Sequence, residues 1–345
     1  MSGLGLSFTD KVFLGVREIF ACPACYGTMS VSDSNWLVCS QGSHQFGIES
    51  GIPLLYWPDE VSDHVEQVTL RVKDFYEQTP FPDYEDLDSP AALRDKARRG
   101  LFAKLLDEQI PYGAKVLDVG CGTGQLSNFL GLTWGRLVFG TDVTLNSLRL
   151  AQEFKQAHGI EQVAFYQMNL FRPIFVPESF DVVICNGVLH HTSDPFRGFM
   201  SISRLVKPGR YVVVGLYNKF GRLQTDLRRL VFKLTADRFK FLDPYLRRSD
   251  VGPRKRRAWF MDQYKHPHES KHTMGEVLKW FQRAGFEYVN GIPKPSLLDS
   301  ISESEELFCP HEAGSPIDHF FVQLAMLLSG GKEGGFFIMI GCKQG

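Results

Sequence analysis

The sequence predicts an α/β fold, a doubly wound and mostly parallel sheet behind a small cysteine-bearing N-terminal module. Three observations carry this. From residue 101 onward, short apolar strand-like runs alternate with helical patterns, the signature of βαβ units. One run, Val116-Leu-Asp-Val119, empties into a loop with glycines at 120, 122 and 124. Upstream, Cys22, Cys25 and Cys39 crowd together, while the other four of the seven cysteines are scattered.

Taken in order, the module comes first. Cys22-Pro-Ala-Cys25-Tyr-Gly27 is a C-x-x-C knuckle with a glycine turn. Cys39 and His44 follow as C-x4-H. In a reducing compartment such a cluster implies metal rather than disulfides. Two knuckles with nitrogen and sulfur ligands suit a closed, tetrahedral, structural Zn²⁺ held by Cys22, Cys25, Cys39 and His44. The module ends in the apolar run Gly51-Ile-Pro-Leu-Leu-Tyr-Trp57. Residues 58–100 are polar and acidic, with prolines at 80, 82 and 90, and read as a connecting arm with helical pieces.

Strands are expected at Val116–Val119, Leu137–Asp142, Val163–Tyr166, Asp181–Cys185, Tyr211–Val214 and Phe336–Ile340. Helical stretches such as Ser147–His158 and Phe196–Val206 lie between them. The glycine loop is where a backbone can turn sharply and let a ligand approach closely. Behind it, Gln125-Leu-Ser-Asn-Phe-Leu130 starts a helix, whose free N–H groups and dipole favour an anion. The spacing is G-x-G-x-G rather than the G-x-G-x-x-G of a dinucleotide site. Asp142 ends the next strand, where an acidic side chain can take both ribose hydroxyls of a nucleoside.

Here the chain resembles the class I S-adenosylmethionine-dependent methyltransferases, in particular the group related to the quinone-ring methyltransferases. The resemblance runs from about Leu101 to Lys219. Leu117-Asp-Val-Gly-Cys-Gly-Thr-Gly124 matches the first motif, and Gly140-Thr-Asp142 the ribose-binding strand end. Gln167-Met-Asn-Leu170 falls where the family has an Asp beside the adenine. Ser179–His191 matches the fourth strand, and Arg204-Leu-Val-Lys-Pro-Gly209 the turn before the fifth. The resemblance implies a Rossmann-like sheet with an antiparallel last strand and S-adenosylmethionine as cofactor. It assigns the cofactor to Asp118, Gly120, Gly122, Gly124, Asp142, Asn169, Leu170 and Asn186. Asn169 departs from the family's Asp, though an amide oxygen still accepts from an adenine amino group. Similar enzymes fold a tyrosine-bearing arm over the cofactor, a role that falls on Tyr76.

Ligands sit at the carboxyl ends of parallel strands, so Asn186 through His191 should face the transferred methyl. The segment is Asn-Gly-Val-Leu-His-His, not the Asn/Asp-Pro-Pro-aromatic of many amino-group methyltransferases. An oxygen nucleophile benefits from a base, which makes His190 and His191 the catalytic candidates. Capping or packing roles for both remain open. The cysteine spacing resembles the ribbon of certain ribosomal-RNA guanine methyltransferases. Phe46–Leu55 resembles the zinc-ribbon partner subunit of tRNA and protein methyltransferases.

Composition bounds the rest. At 345 residues, 43% hydrophobic and 22% charged, the chain is an ordinary globular protein with room for one to three domains. A net charge of −1 gives no overall pull toward nucleic acid or membrane. No apolar run reaches the roughly 18 residues of a membrane span, and Met1–Lys11 lacks the features of a signal peptide. A cytoplasmic protein is expected. The neutral total hides an acidic front, with 8 basic and 15 acidic residues over 1–100, and a basic segment, with 17 and 8 over 216–290. Arg254-Lys-Arg-Arg257 and the stretch holding Asp262, Tyr264, His266 and His268 suit acceptor recognition, RNA, or a solvated face.

The expected division is a zinc-ribbon-like domain at 1–57 and an arm or lid at 58–100. A methyltransferase domain at 101–345 follows, with insertions at about 216–290 and 293–335. The apolar stretch Phe320–Leu328 reads as a core helix, a substrate wall or a dimer face. The leading function is methylation of a small or lipid-like acceptor at oxygen or carbon. RNA base methylation and a non-catalytic interaction module are the alternatives.

Overall fold

The computed structural model describes residues 17–33, 36–61, 63–82, 84–85, 87–328 and 335–345. The first sixteen residues, for which the sequence predicts no signal peptide, lie outside this set. So do Asp83 of the arm and residues 329–334 of the second insertion.

An antiparallel meander comes first: β1 (Met29–Asp33), β2 (Trp36–Cys39), β3 (Gln45–Glu49) and β4 (Ile52–Pro53). The arm is helical, with α1 (Asp63–Gln78) and α2 (Pro90–Arg98), and α3 (Leu101–Gln109) leads into the sheet. Then come β5 (Lys115–Val119), α4 (Gln125–Gly131), β6 (Leu137–Asp142), α5 (Leu145–Ala157), β7 (Val163–Gln167), β8 (Phe180–Asn186), α6 (Pro195–Ser203) and β9 (Val206–Tyr217). After β9 the chain inserts α7 (Leu223–Leu234) and α8 (Pro253–Lys265). It closes with α9 (Met274–Arg283), β10 (Phe286–Ile292), α10 (Pro316–Leu328) and β11 (Phe336–Lys343).

The main sheet runs β10-β11-β9-β8-β5-β6-β7. Strands β5 to β9 are mutually parallel, and β11 is antiparallel to both of its neighbours. The expected fold class, with its antiparallel last strand, is the observed one. Between β5 and β8 the winding reverses, which is where open α/β sheets hold ligands.

The strands are buried almost throughout, because helices cover both faces. Alternation along each strand divides the core in two. Leu117, Val119, Phe139, Tyr166 and Val183 point to one face, Val116, Val138, Phe165 and Val182 to the other. The first face is completed by the meander: Phe20, Leu37 and Phe46 belong to the same cluster. The Phe20 ring packs 5.2 Å from both Tyr166 and Phe175. Backbone bonds stitch this N-terminal part to the rest of the chain: Ala21 N–H to the Ile174 carbonyl and Val176 N–H to Ile19 join it to the loop between β7 and β8, and Leu55 N–H to Gln167 joins it to the free edge of β7.

Boundaries shift where packing overrides pattern. β9 starts at Val206 and passes through Lys207-Pro-Gly209, and its register against β8 slips between Phe180 and Val182. Within the basic segment, α7 and α8 are followed by α9 and by β10, which pairs with β11 in the main sheet. α10 buries His319, Val322 and Gln323 but leaves Ile317, Phe320, Phe321 and Leu328 exposed, so it is only half a core helix. Among the described residues no helix is long and apolar enough to cross a membrane.

Candidate active site and metal centre

A cavity of about 450 Å³ opens at the carboxyl ends of β5, β6, β8 and β9. Asp118, Gly120, Gly122, Asp142, Asn169, Leu170, Asn186, Tyr76 and His191 line it, so most of the sequence-derived site residues converge. Two do not. Gly124 sits behind the loop in left-handed conformation, φ +72°, where an added Cβ would lie 2.6 Å from Ala151 and 2.8 Å from Phe165. It sets the helix start rather than touching a ligand. His190 is fully buried behind His191 and does not reach the cavity.

The loop is held from both ends. Gly120 and Cys121 donate to the Thr141 carbonyl, and Gly122 N–H donates to Asp142 Oδ2 at 2.8 Å. Gly122 passes so close to the arm that a Cβ would stand 2.6 Å from the Phe81 carbonyl oxygen. Asp118 does not point at a ligand alone: its Oδ2 accepts the Ser127 hydroxyl at 2.6 Å, bracing strand against helix. Burial pushes its carboxyl up to about 6, against the Ser127 bond and with the help of Asp142.

Asp142 Oδ1 also accepts Thr144 N–H at 2.9 Å and the Thr144 hydroxyl at 2.6 Å. A carboxylate offers about four acceptor positions, so protein donors take three and the geometry leaves Oδ2 one more. Burial raises the Asp142 pKa, opposed by the Thr144 and Gly122 donors.

The arm covers the opening. Thr69, Val72 and Tyr76, spaced three and four apart on α1, present one helical face to the cavity. The next residue fastens the helix: the Glu77 carboxylate accepts the amides of Leu145 and Asn146 at 2.8 and 2.9 Å. These are orphan donors at the start of α5.

Across the cavity, α8 contributes Trp259, Asp262 and Gln263. Tyr76 donates to Asp262 Oδ1 at 2.8 Å, joining arm to insertion. Gln263 Nε2 donates to Asp262 Oδ2 and to the Tyr217 hydroxyl, at 2.8 and 2.9 Å. Behind them the buried Arg222 guanidinium stacks 3.6 Å over the Tyr217 ring and pairs with Glu269 at 2.7 Å. Although burial works upward on Glu269, Arg222 and Arg229 hold it down at about 2. Burial raises Asp262, opposed by Tyr76 and His266.

The histidines form a stack. His191 lies 3.6 Å from His266 and 4.2 Å from His190, ring centre to ring centre. Burial holds His191 down at about 4 and His266 at about 3, so both are neutral near pH 7. His191 Nδ1 lies 3.0 Å from the His268 carbonyl. A carbonyl only accepts, so Nδ1 carries the proton and Nε2 keeps a lone pair. Neither ring nitrogen of His190 has a hydrogen-bond partner.

At the other end of the cavity, buried Asn169 donates from Nδ2 to the Trp57 carbonyl at 3.1 Å and accepts Phe171 N–H at its Oδ1. Trp57 is the last residue of the meander module, and its ring packs 5.3 Å from His44. An Asp at 169 would set a carboxylate oxygen against the Trp57 carbonyl oxygen.

Cys22, Cys25, Cys39 and His44 come together with their ligand atoms all within 4.8 Å of one another. Cys25 and Cys39 sulfurs are 3.4 Å apart, and Cys22 Sγ is 3.6 Å from His44 Nδ1. Tetrahedral zinc with bonds of about 2.3 Å separates sulfurs by about 3.8 Å, so the donor set fits that ion. Burial, working upward on Cys39 too, is outweighed there by the amides of Gln41 and Gly42, which draw the thiol down to about 6.

Sequence reasoning missed Glu77, Arg222, Glu269 and the role of Trp57. Long-range pairs such as Glu77 with the start of α5 leave no local trace. The three-and-four spacing of Thr69, Val72 and Tyr76 was the one readable signal.

A methyltransferase-domain family model matches residues 111–285. An uncharacterised protein of Synechococcus sp. is 25% identical over 65% of this chain and 60% of its own length. A ubiquinone biosynthesis O-methyltransferase of Pseudomonas putida is 38% identical over 33% of this chain and 49% of its own. The chain thus spans about half the length of the curated relatives it matches. PKMT2 from Rickettsia typhi, solved in complex with AdoHcy, is 17% identical with a TM-score of 0.48, over 70% of this chain and 52% of that one. The matched half of the chain contains the glycine loop, Asp142, Asn169, Asn186 and the histidine pair, and by that match the chain belongs to the methyltransferase-domain family.

Proposed function

We propose that this chain transfers the methyl group of S-adenosylmethionine to oxygen or carbon of a small or lipid-like acceptor. The observation that carries the reading is the enclosure of the acceptor end. Val72, Tyr76, Tyr217, Trp259 and Phe336 wall it, and the arm and α8 meet across it through Tyr76 and Asp262. An apolar chamber with a few convergent polar groups suits a small molecule. The ubiquinone O-methyltransferases among its relatives act in the same direction.

The bound cofactor supplies an electrophilic methyl on a sulfonium. For holding it, Asp142 Oδ2 offers an acceptor to a ribose hydroxyl, and Asn169 with Leu170 flanks the adenine. The loop of Gly120 and Gly122 admits the methionine end. Asn186 Oδ1, buried in the cavity with no partner, suits the ammonium. The enclosing residues exclude water and align the acceptor, which supplies much of the acceleration of an in-line displacement. His191 Nε2 is free to take a proton but is a weak base. The arrangement therefore favours an acidic hydroxyl, such as a phenol, over an alcohol. His190 supports His191 by packing.

The same reading places structural zinc on Cys22, Cys25, Cys39 and His44. It treats 1–57 as a ribbon domain, 58–100 as arm and lid, and 101–345 as the methyltransferase domain with its insertions. The test is transfer from methyl-labelled S-adenosylmethionine in extracts. Label in the organic-soluble fraction supports the proposal. Label in RNA alone replaces it with base methylation, and no transfer with no cofactor binding leaves an interaction module.

A further inference from the structure

Helix α7 is amphipathic in the wrong sense for a core helix. Its buried residues, Thr225 and Phe232, define the face toward the protein. Leu223, Leu227, Leu230 and Leu234 recur at intervals of four, three and four, which places them on one stripe diametrically opposite. They are 47%, 64%, 53% and 76% exposed. Scattered surface leucines need no explanation, but a contiguous row does.

The row is part of a larger face. Just beyond α7, Phe239, Phe241 and Leu242 are exposed, with the two phenylalanine rings 5.6 Å apart. On the other side α10 adds exposed Phe320, Phe321 and Leu328. That helix is tied to α7 by the Phe220–Phe320 ring contact and by the Gln224 side chain, which donates to the Leu327 carbonyl at 2.8 Å.

Charge around this face has one sign. Residues 219–257 hold thirteen Lys and Arg against four Asp. Three of the acids are spoken for: Asp226 pairs with Lys271 and Arg229, Asp237 with Lys265, and Asp250 with Arg248. The fourth, Asp243, is buried and accepts from Tyr264 and Trp259. Lys233, Arg238, Lys240, Arg247, Arg254 and Arg257 are exposed, and the first three adjoin Leu234, Phe239 and Phe241 in the chain. The first turn of α8 carries no acid at all, a local cost at the positive end of a helix dipole.

We propose that the outer face of the α7–α8 insertion docks on an anionic lipid surface, with the leucine row immersed among the acyl chains and the basic residues at the headgroups. Apolar residues on one side and Lys and Arg at the rim are what such an interface selects. A second copy of the chain would bring two strongly basic faces together. RNA recognition stacks bases on rings and guanidinium planes, and although this face carries four exposed phenylalanines and several arginines, its continuous element is the row of four leucines, on which no base stacks. Phe232 of α7 packs with Phe260 and Tyr264 of α8, and the cavity-lining Trp259, Asp262 and Gln263 lie on that same helix. The docked face is thus the outside of the wall whose inside closes the acceptor chamber.

The docking requires no acceptor, so it fails or stands separately from the methyl-transfer reading. The experiment is flotation of the full chain with vesicles of phosphatidylcholine alone or mixed with phosphatidylglycerol. Binding about tenfold greater to the anionic vesicles is expected, with about a tenfold loss in Leu227→Glu/Leu230→Glu and a loss in Arg254→Glu/Arg257→Glu. Both pairs are surface changes, and an unaltered melting curve and cofactor affinity verify that each variant is folded. Absence of flotation, equal binding to neutral vesicles, or full binding by the leucine variant overturns the proposal. A dimer that Leu227→Glu disperses, or RNA binding without lipid binding, overturns it in favour of those partners.

Discussion

Asn169 and Trp57 are joined by a 3.1 Å hydrogen bond from the Asn169 side-chain amide to the Trp57 carbonyl. One partner lines the cofactor cavity, and the other packs its ring against the metal-site residue His44. The bond therefore ties the cavity to the neighbourhood of the Cys/His cluster. Asn169→Asp should lose it and leave the Trp57 carbonyl unsatisfied, costing about 1–3 kcal/mol. Urea unfolding measures this. A variant as stable as the parent would mean that the amide is not what holds the contact.

Zinc loss should reach further than the ribbon. Phe20, Leu37 and Phe46 share a core with Phe139 and Tyr166, so the module cannot melt alone. Purified protein should carry one Zn²⁺ per chain. Cys39→Ser should release it and lower the melting temperature of the whole chain by about 5 °C or more. Cofactor affinity should fall as well. Metal analysis with calorimetry checks both, and metal-free protein with parental melting behaviour would contradict the assignment.

Asp142→Ala removes the one anchor that its carboxylate gives the glycine loop, at Gly122, and with it the proposed ribose acceptor. Affinity for S-adenosylmethionine should drop by about 1.5–3 kcal/mol, the scale of a charged hydrogen bond. Thr144→Val, which removes only the hydroxyl donor, should lose much less. Equal losses in the two variants would assign the effect to loop geometry rather than to a ligand bond.

The two histidines should separate. His191→Ala is expected to lower single-turnover methyl transfer by about 10²–10⁴ if its Nε2 takes the proton, with cofactor affinity unchanged. His190→Phe, at a fully buried position whose ring nitrogens make no hydrogen bonds, should keep most of the rate and the stability. Parental rates and pH profiles in both variants would leave alignment as the whole mechanism.

Acid should unfold this protein early. Burial keeps His190 well below its ordinary value, His191 at about 4 and His266 at about 3, whereas an unfolded histidine titrates near 6.5. As pH falls through 6.5 the unfolded chain gains protons that the folded one refuses. Each histidine then removes up to about 1.4 kcal/mol per pH unit down to its folded value. Glu269, held at about 2 by its arginines despite burial, adds a loss in the same direction below the ordinary glutamate range. Urea midpoints between pH 7 and 4 should fall steeply, and less so in His190→Phe.

What the sequence revealed was local. The strands, the glycine loop, Asp142 and the cysteine knuckles are written in runs, short spacings and turn residues, and these stand where they were expected. Tyr76 was placed by resemblance and does line the cavity. The rest depends on pairs far apart in the chain. Nothing near Glu77 marks it as the cap of a helix at residue 145, and nothing near Asn169 announces a carbonyl from residue 57. Periodicity could not tell His190 from His191, because a short 3₁₀ turn after β8 turns only one of them toward the cavity. The leucine row of α7 was not singled out in the sequence, and which side it faces is a matter of tertiary packing.

The stitching of Leu54 and Leu55 to the edge of β7 has a consequence for dilution. A separate subunit that covered the edge of β7 would leave it as concentration fell below its dissociation constant. Here the covering segments and the strand are one molecule, and their effective concentration is fixed by the linker. Coverage of that edge is thus the same at nanomolar and at millimolar protein, and only unfolding of the ribbon exposes the unpaired strand to neighbouring molecules.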